Sequence, residues 1–363
     1  MSLTMTTAAE AMAAAGGYDT IIDVRSPSEF AEDRLPGAVN WPVLDDAERA
    51  EVGTIYTQVS TFEARKRGAA IVSRNIARII DEQVAGHARE WRPLVYCWRG
   101  GQRSGSLAIV LAQIGFRTRQ LQGGYKAFRG LVREELAALP QRIDWRVLGG
   151  RTGSGKTRLL HALAAEGAQV LDLEGLAAHR GSVLGGLPDR PQPSQKHFET
   201  LVWQTLRAFA PDRPVFVESE SRRIGKLQLP DELLDALRGC AHPTLVELGL
   251  EARVKLLCED YAFFIDNVDA LCERLQALTE LRGKACVARW QAQARAGEWA
   301  VLLAELMQQH YDPLYDHAFK AAHDEHAPQP LQLPDGEPGT LAAAARQLIG
   351  APLGLRPCPS ERE

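Results

Sequence analysis

The feature that most constrains this chain is a glycine-rich segment that lies between a short apolar run and a helix-like segment. It reads Gly150-Arg151-Thr152-Gly153-Ser154-Gly155-Lys156-Thr157 and fits the pattern G-x-x-x-x-G-K-S/T without a mismatch. Residues 145–148 have the apolar composition of a buried strand, and the residues after the loop have the apolar spacing of a helix. A strand, a glycine-rich turn and a helix in this order predict a parallel α/β domain that binds phosphate through backbone N–H groups.

The residue types of this loop indicate how phosphate would be held. The lysine supplies a cation to the terminal phosphates, and the Thr157 hydroxyl is placed to bind Mg²⁺. For the acidic partner, Glu218 and Glu220 at the end of the apolar run 214–217 compete with Asp172 in the strand-like run 169–173. Two arginines that follow Glu218 are hypothesised to neutralise further phosphate charge. The predicted phosphate-binding residues are Gly150, Thr152, Gly153, Ser154, Gly155, Lys156, Thr157, Glu218, Arg222 and Arg223, and the candidate Mg²⁺ ligands are Thr157 and Asp172.

A second candidate site follows another buried-type strand, over residues 92–96. Cys97 comes directly after this run and is followed by Trp98-Arg99-Gly100-Gly101-Gln102-Arg103-Ser104 and an apolar helix. The positive end of a helix and the surrounding amide groups stabilise a thiolate, and the two glycines let the backbone curve around an anion. We therefore predict that Cys97 is a nucleophile, with Arg99 and Arg103 binding a sulfate-like or phosphate-like oxyanion.

The two candidate sites lie in two predicted domains. The chain has 363 residues, which exceeds what one hydrophobic core of ordinary size organises. Strand-like and helix-like segments alternate and the pattern restarts near Pro140, so we place a first domain at 1–139 and a second at 140–363. The first carries a helical insertion at about 45–84, and the second ends in helices from residue 251 onward. Both domains are predicted to be α/β with parallel sheets.

Charge is distributed unevenly along the sequence. The net charge of −4 argues against an indiscriminate polyanion binder, yet residues 91–133 contain no Asp or Glu and eight Lys or Arg. This local excess around Cys97 predicts contacts with a nucleic-acid backbone. Trp98, Tyr125 and Phe128 are candidates for stacking on an extruded base. The alternative is a set of solvated helix faces with scattered positive charge. The predicted nucleic-acid-binding residues are Arg65, Arg117, Arg119, Lys126 and Arg129.

Targeting and redox signals are weak in this sequence. No apolar run approaches the roughly 20 residues that a membrane helix needs. The first 17 residues contain no Lys or Arg, so a secretory signal is not expected. None of the six cysteines forms a C-x-x-C pair, which argues against a zinc or dithiol site. We expect a cytoplasmic protein without a membrane partner.

Residues 18–137 resemble the rhodanese family of sulfurtransferases. Four motifs carry the resemblance in order: Asp23-Val24-Arg25-Ser26-Pro27-Ser28-Glu29-Phe30, Leu35-Pro36-Gly37-Ala38-Val39-Asn40, the Cys97 loop, and Leu121-Gln122-Gly123-Gly124-Tyr125. In that family the loop cysteine carries a sulfur or selenium atom, and the resemblance implies this role for Cys97. The helical insertion departs from the plain rhodanese pattern, which suggests a specialised substrate or a docking surface for the second domain.

A rhodanese-like domain fused to a P-loop NTPase-like domain resembles one family, the tRNA 2-selenouridine synthases. Further stretches that carry this resemblance are Val52-Gly53-Thr54-Ile55-Tyr56, Asp172-Leu173-Glu174-Gly175-Leu176, His179-Arg180-Gly181-Ser182, Gln195-Lys196-His197-Phe198-Glu199 and Glu218-Ser219-Glu220-Ser221-Arg222-Arg223-Ile224-Gly225. The resemblance implies that the sulfur of 2-thiouridine at the tRNA wobble position is replaced by selenium. It implies S-geranyl-2-thiouridine as the intermediate and geranyl diphosphate and selenophosphate as co-substrates. The expected partners are tRNA and an enzyme that supplies selenophosphate.

Three other functions fit the same residues. The glycine-rich loop serves ATP, GTP or a diphosphate ester equally well. The protein could therefore be an ATP-dependent tRNA sulfurtransferase, or a small-molecule kinase with a rhodanese regulatory module. In the third alternative it is a non-catalytic redox or binding protein, in which Cys97 is an ordinary thiol.

Overall fold

The computed structural model describes residues 3–13, 17–182, 184–187, 189–240, 243–265, 267–322 and 328–350. The chain forms two compact units. The first contains Met1–Ala138 and Pro193–Gln204, and the second contains Leu139–Gln192 and Thr205–Glu363. Each unit has a five-stranded parallel sheet, which confirms the predicted α/β class.

The first unit alternates short strands with helices. Its strands are β1 (Thr4–Thr6), β2 (Thr20–Asp23), β3 (Ala38–Asn40), β4 (Pro93–Tyr96) and β5 (Arg119–Leu121). Its helices are α1 (Ala8–Ala13), α2 (Pro27–Glu32), α3 (Asp46–Gln58), α4 (Thr61–Ile79), α5 (Gln102–Ile114) and α6 (Gly124–Ala138). The strand order is β1-β5-β4-β2-β3. Helix α4 continues through a π-helical turn, Ile80–Val84, so the predicted insertion is a helical hairpin of α3 and α4.

Local sequence explains where these helices begin. Ser26 and Glu29 form a capping box at the start of α2, with Pro27 at its first position. Asp45 caps α3 by accepting from the Glu48 N–H at 2.7 Å, and Ser60 caps α4 by accepting from the Glu63 N–H at 3.0 Å. The insertion therefore forms two helices, because α3 ends before Ser60 and Ser60 caps the start of α4.

A buried ion pair explains the charged rhodanese-like motif at the end of β2. The Arg25 side chain is fully buried and donates to Asp23, with Nη2 2.6 Å from Oδ2, and to the Asp33 carbonyl at 2.6 Å. Its guanidinium also lies 4.0 Å from the centroid of the Tyr125 ring. Removal of one partner would leave a buried charge uncompensated, so the motif is part of the core of this unit.

The second unit starts with the strand that leads into the glycine-rich loop. Its strands are β6 (Trp145–Gly149), β7 (Gln169–Leu171), β8 (Val215–Glu218), β9 (Arg223–Ile224), β10 (Leu227–Gln228), β11 (Thr244–Leu248) and β12 (Gln329–Leu333). The parallel sheet has the order β12-β11-β6-β8-β7, and β9 and β10 form a small antiparallel pair. The loop strand β6 is therefore central and pairs directly with β8, whose last residue is Glu218.

Helices form the rest of the second unit. They are α7 (Lys156–Ala165), α8 (Leu173–Ala177), α9 (Gln195–Ala208), α10 (Asp231–Arg238), α11 (Leu250–Asp260), α12 (Ala262–Ile265), α13 (Val268–Gln276), α14 (Thr279–Arg282), α15 (Lys284–Ala296), α16 (Trp299–Leu306), α17 (Asp312–Ala322) and α18 (Pro338–Gly350). A π-helical turn, Met307–Tyr311, joins α16 to α17. Trp290, Leu275 and Leu302 are fully buried in one apolar cluster, which confirms the predicted helical C-terminal part.

The first part of α9 departs from the sequence-based division at residue 139. Residues 193–204 belong to the first unit although the sequence places them in the second domain. Polar contacts explain this, because Thr200 Oγ1 donates to buried Asp33 at 3.0 Å and Trp203 Nε1 donates to Glu135 at 2.8 Å. Among the described helices, none is both long and apolar enough to cross a membrane.

Candidate functional site

The glycine-rich loop forms one side of a cavity in the second unit. At Gly150 φ is +155°, and a Cβ atom there would lie 2.7 Å from the Val246 carbonyl oxygen. Only glycine avoids this contact, so the sequence pattern reflects the close approach of β11. The cavity has a volume of about 890 Å³, within the range of sites that enclose small ligands. Every predicted phosphate-binding residue of the loop lines it: Gly150, Thr152, Gly153, Ser154, Gly155, Lys156 and Thr157.

The ammonium group of Lys156 is held over this loop. Its Nζ donates to the carbonyl oxygen of Gly150 and, at 3.3 Å, to that of Arg151. Burial lowers the pKa of Lys156, while the charges of Glu220 and Glu174 act in the opposite direction. The lysine thus stands at the predicted place with its charge directed at the loop, where an incoming phosphate would replace these carbonyl contacts.

Three carboxyl groups lie near Lys156. Thr157 Oγ1 donates to Glu174 Oε2 at 3.1 Å, and the Glu174 N–H donates to Glu218 Oε1 at 2.9 Å. The other oxygen of Glu218 is buried without a partner. Burial raises the pKa of Glu218 and Glu174, and it raises the pKa of Glu220 to about 8. Glu220 is one of the acids that the sequence offered as a partner of Mg²⁺. Glu174 belongs to this site although no such role was predicted for it, since only the folded chain brings the three acids together.

Asp172 takes a different role from the predicted Mg²⁺ ligand. One carboxylate oxygen caps α8 by accepting from the Gly175 N–H at 2.7 Å, and the other lies 2.9 Å from His161 Nε2. The hydroxyl of Thr157 is bonded to Glu174 instead. No group of three His, Cys, Asp or Glu side chains within the described ranges is arranged to hold a metal ion alone. A cation here would need substrate oxygens as additional ligands, which is the usual way in which Mg²⁺ binds.

Helices α11 and α17 hold the loop from outside. Buried Arg253 donates to the Thr152 carbonyl through Nε at 2.9 Å and forms an ion pair with Asp312 at 2.6 Å. The Tyr315 hydroxyl accepts from the Gly150 N–H. Sequence reasoning missed these residues because they lie about 100 and 165 positions from the loop and have no motif of their own.

The two predicted arginines after β8 have different positions. Arg222 lines the cavity, but its guanidinium is 2.6 Å from Asp231. Arg223 is exposed in β9 and is absent from the cavity lining, so the structure does not bring it to the loop. The cavity lining also contains five leucine side chains, which are Leu187, Leu234, Leu237, Leu257 and Leu314. A ligand with a phosphate end and an apolar end fits this combination.

The second candidate site is the Cys97 loop of the first unit. Cys97 is buried, directly after the fully buried strand β4 and before α5. Ser104 Oγ donates to Cys97 Sγ at 3.1 Å, and Gln120 Nε2 donates to Ser104 Oγ at 2.7 Å. Gln120 also donates to the Gly100 carbonyl at 2.9 Å. The Ser104 hydroxyl is thus directed at the sulfur, and the glutamine fixes both hydroxyl and loop.

The two arginines predicted to act with Cys97 also differ. Arg99 is exposed and forms no ion pair with any described carboxylate. Arg103 instead donates to buried Glu29 at 2.7 Å. Burial raises the pKa of Glu29, but the hydrogen bond and charge of Arg103, the Ser26 N–H and the charge of Arg49 together lower it below its ordinary value. Arg103 is therefore committed to an ion pair, and only Arg99 remains available for an incoming anion.

Of the five predicted nucleic-acid contacts, four are exposed and one is not. Arg65, Arg117, Arg119 and Lys126 have exposed side chains. Arg129 is turned inward, where Nη1 donates to Thr200 Oγ1 at 3.1 Å and Nη2 donates to Glu199. The guanidinium holds α9 against α6 and is unavailable to a phosphate backbone.

The aromatic residues predicted to stack on a base are largely internal. Phe128 is fully buried, and Tyr125 is 2% exposed. The Tyr125 hydroxyl donates to Asp33 at 2.8 Å, and its ring packs 5.2 Å from that of half-buried Trp98. Helix α6 carries an apolar face against the sheet, and both aromatic residues lie on that face. They stabilise the core instead of presenting rings to a ligand.

Comparison with known proteins identifies relatives of both units. Residues 5–131 match the rhodanese-like domain, and residues 143–270 match the family described as the tRNA 2-selenouridine synthase AAA domain. A tRNA 2-selenouridine synthase of Nitrosomonas europaea is 40% identical over 245 residues, covering 66% of this chain and 63% of that protein. The enzyme of the same name from Hydrogenovibrio crunogenus is 41% identical over 253 residues, or 66% of this chain and 67% of its own. That from Sulfurovum sp. is 33% identical over 331 residues, or 82% of this chain and 88% of its own.

Proposed function

The chain belongs to the tRNA 2-selenouridine synthase family, and from this premise we propose that it is a transferase that replaces sulfur by selenium in a wobble 2-thiouridine of tRNA. One observation carries the proposal. The phosphate-binding loop lines a cavity that also contains five leucine side chains, which suits a prenyl diphosphate better than a nucleotide that lacks an apolar tail. The thiol loop of the first unit supplies a separate group for chalcogen chemistry.

In the first half-reaction the thiouridine sulfur attacks C1 of geranyl diphosphate. A carbon–sulfur bond forms, the carbon–oxygen bond breaks, and diphosphate leaves with the electron pair while the uridine N3 proton passes to solvent. The Gly150 to Thr157 loop binds the diphosphate, and Lys156 stabilises the charge that develops on it. The leucine side chains of the cavity take the geranyl chain. Alkylation turns an unreactive thiocarbonyl sulfur into a leaving group.

In the second half-reaction the selenium of selenophosphate attacks C2 of S-geranyl-2-thiouridine. The carbon–selenium bond forms, geranyl thiol departs with its electron pair and a proton, and water splits the phosphorus–selenium bond to release phosphate. No net oxidation occurs. We assign Cys97 and Ser104 to holding the selenium atom of selenophosphate for this attack, with Arg99 near the incoming oxyanion. The burial of Cys97 admits a single atom such as selenium more readily than a nucleobase.

A Mg²⁺ ion fits the phosphate site if the bound diphosphate supplies part of its ligands. Thr157 and Glu174 are the residues that would hold it, with diphosphate oxygens as the remaining ligands. One oxygen of Glu218 accepts from the Glu174 N–H. The other oxygen has no partner and would accept from a water bound to the ion. Such a cation would neutralise charge on the diphosphate during its departure.

Calorimetric titration of the full chain with geranyl diphosphate, inorganic diphosphate and ATP tests the proposed ligand. We expect geranyl diphosphate to bind most tightly, and Lys156→Ala to weaken both diphosphates by about 10-fold or more. Ser106→Ala is the control, because that exposed hydroxyl donates only to the Gln102 carbonyl of its own helix. Turnover of ATP coupled to tRNA, with no affinity for geranyl diphosphate, would favour the ATP-dependent sulfurtransferase instead.

A further inference from the structure

The hairpin of α3 and α4 has an exposed aromatic end that neither candidate site uses. We define the hairpin tip as residues 56–66, around the turn between the two helices. Tyr56, Val59 and Phe62 are 57%, 68% and 65% exposed. Among the residues that the structure describes, Tyr56 and Phe62 are the exposed aromatic side chains. Large apolar side chains grouped in this way mark a surface that a partner covers.

The hairpin tip contributes little to the core of the first unit. Helix α3 has no buried residue. In α4 the large buried side chains are Ile71, Val72, Ile76 and Ile79, all in its second half. The tip therefore extends beyond the part of the hairpin that is packed on the sheet. Its aromatic residues have no structural role that would account for them.

Charge identifies the kind of partner. Residues 52–80 contain one acid, Glu63, and five bases, of which Arg67 forms an ion pair with Glu51 of α3 at 2.6 Å. Lys66 offsets Glu63 at 2.7 Å and lies 5.2 Å from the centroid of the Phe62 ring. Arg65 is exposed one helical turn from Phe62. The five bases are Arg65, Lys66, Arg67, Arg74 and Arg78.

We propose that the hairpin tip binds unpaired nucleotides of the RNA substrate, with Tyr56 and Phe62 stacking on bases. Arg65 and Lys66 contact the neighbouring phosphates. Aromatic faces beside cations are the usual means of holding single-stranded nucleic acid. The inference rests on the proposed function, in which tRNA is the substrate. It also gives the insertion a purpose, since a plain rhodanese acting on a small molecule needs no such arm.

Filter binding of a 2-thiouridine-containing tRNA and of a fully paired RNA duplex tests this assignment. One stacked base contributes about 5- to 150-fold in affinity, so Tyr56→Ala/Phe62→Ala should weaken tRNA binding at least about 10-fold. The slope of affinity against salt should not change, because no phosphate contact is lost. Tyr56→Trp/Phe62→Trp should bind as the native chain does. Leu281→Ala, at a 68% exposed apolar residue of α14, is the matched control.

The outcomes separate this inference from the proposed function. Native affinity in the Tyr56→Ala/Phe62→Ala chain would overturn the inference and leave the tip as a surface for a protein. An equal loss for tRNA and duplex would also overturn it, because a duplex has no free bases to stack. Failure of the native chain to bind any tRNA would instead contradict the proposed function. Because Tyr56 and Phe62 are exposed, their replacement should not unfold the chain, so misfolding should not account for a loss of binding. A thermal melt of each variant checks this.

Discussion

At the scale of single residues, the Cys97 loop was predictable because its chemistry is local. Cysteine, two glycines and the following helix are adjacent in the chain, so their meeting needs no knowledge of the fold. Gln120 was not predictable, because it reaches Ser104 from β5, 16 positions along the chain. The sequence predicted that Arg103 binds the anion. It could not show that Arg103 pairs with Glu29, because Glu29 is 74 positions away in the chain. Contacts between residues that are far apart in the chain cannot be inferred from a local sequence pattern.

Ser104→Ala should slow the reaction of Cys97 with iodoacetamide. The hydroxyl that donates to the attacking sulfur is lost, and a hydrogen bond to a charged group is worth about 1.5–3 kcal/mol, or roughly 10- to 150-fold in rate. Peptide mass spectrometry at neutral pH isolates Cys97 from the other cysteines. Ser106→Ala should react as the native chain does. Equal rates in Ser104→Ala and the native chain would show that this hydroxyl does not activate the sulfur.

Glu220 should make the stability of the second unit depend on pH. Burial and the charge of Glu174 raise its pKa from 4.5 to about 8, so the folded state keeps a proton that the unfolded chain has released. The contribution of this carboxyl to the free energy of unfolding therefore falls from about pH 5 to about pH 8 and is constant above. Urea unfolding should show Glu220→Gln gaining on the native chain across this range. A difference between Glu220→Gln and the native chain that does not change with pH would refute the assignment.

At the scale of elements, the strand, loop and helix around Lys156 were predictable and their supports were not. The pattern contains β6, the turn and the start of α7 in one continuous stretch. The helices that hold the loop come from far along the chain, through Arg253 and Tyr315. The edge strands β1 and β12 were missed because β1 has only three residues and both strands are only partly buried. Hydrogen bonding to the neighbouring strand defines these two edge strands more than their amino-acid composition does.

Arg253→Met should loosen the phosphate loop. The change removes two hydrogen bonds to the Thr152 carbonyl and leaves the Asp312 charge unpaired, at a cost of about 3–5 kcal/mol. Hydrogen exchange of peptides covering residues 150–157 should become faster by about 10-fold or more. Arg346→Met, which breaks an exposed ion pair to Glu166, is the control. Unchanged exchange in Arg253→Met would mean that the loop holds its shape without α11.

At the scale of the whole molecule, each basic side chain has to be considered together with the acid that it pairs with. The stretch 91–133 contains no acid, but acids from elsewhere neutralise part of it: Asp19 holds Arg92, and Glu29 holds Arg103. Arg117 and Lys126 remain exposed without an ion pair among the described residues, and exposed Arg119 lies near enough to Glu10 for its charge to help lower the pKa of that carboxyl. A count of charges along the sequence therefore overstates the surface available to RNA, and the three-dimensional pairing identifies which cations are free.

Single substitutions should sort these cations by their effect on tRNA binding. Arg117→Ala, Arg119→Ala and Lys126→Ala should each lower affinity for all RNA sequences and reduce the salt slope by about 1. Arg92→Ala should leave the slope nearly unchanged, because Asp19 already holds that guanidinium. The measurement is filter binding over a series of salt concentrations. Equal slopes in all four variants would place the RNA elsewhere.

The central claim is that the two loops divide one tRNA modification between them. The most direct measurement is mass spectrometry of nucleosides from 2-thiouridine tRNA incubated with the chain, geranyl diphosphate and selenophosphate. The native chain should yield 2-selenouridine, Lys156→Ala should leave 2-thiouridine, and Cys97→Ser should accumulate S-geranyl-2-thiouridine. Formation of 2-selenouridine by Cys97→Ser, or its formation without geranyl diphosphate, would contradict this division.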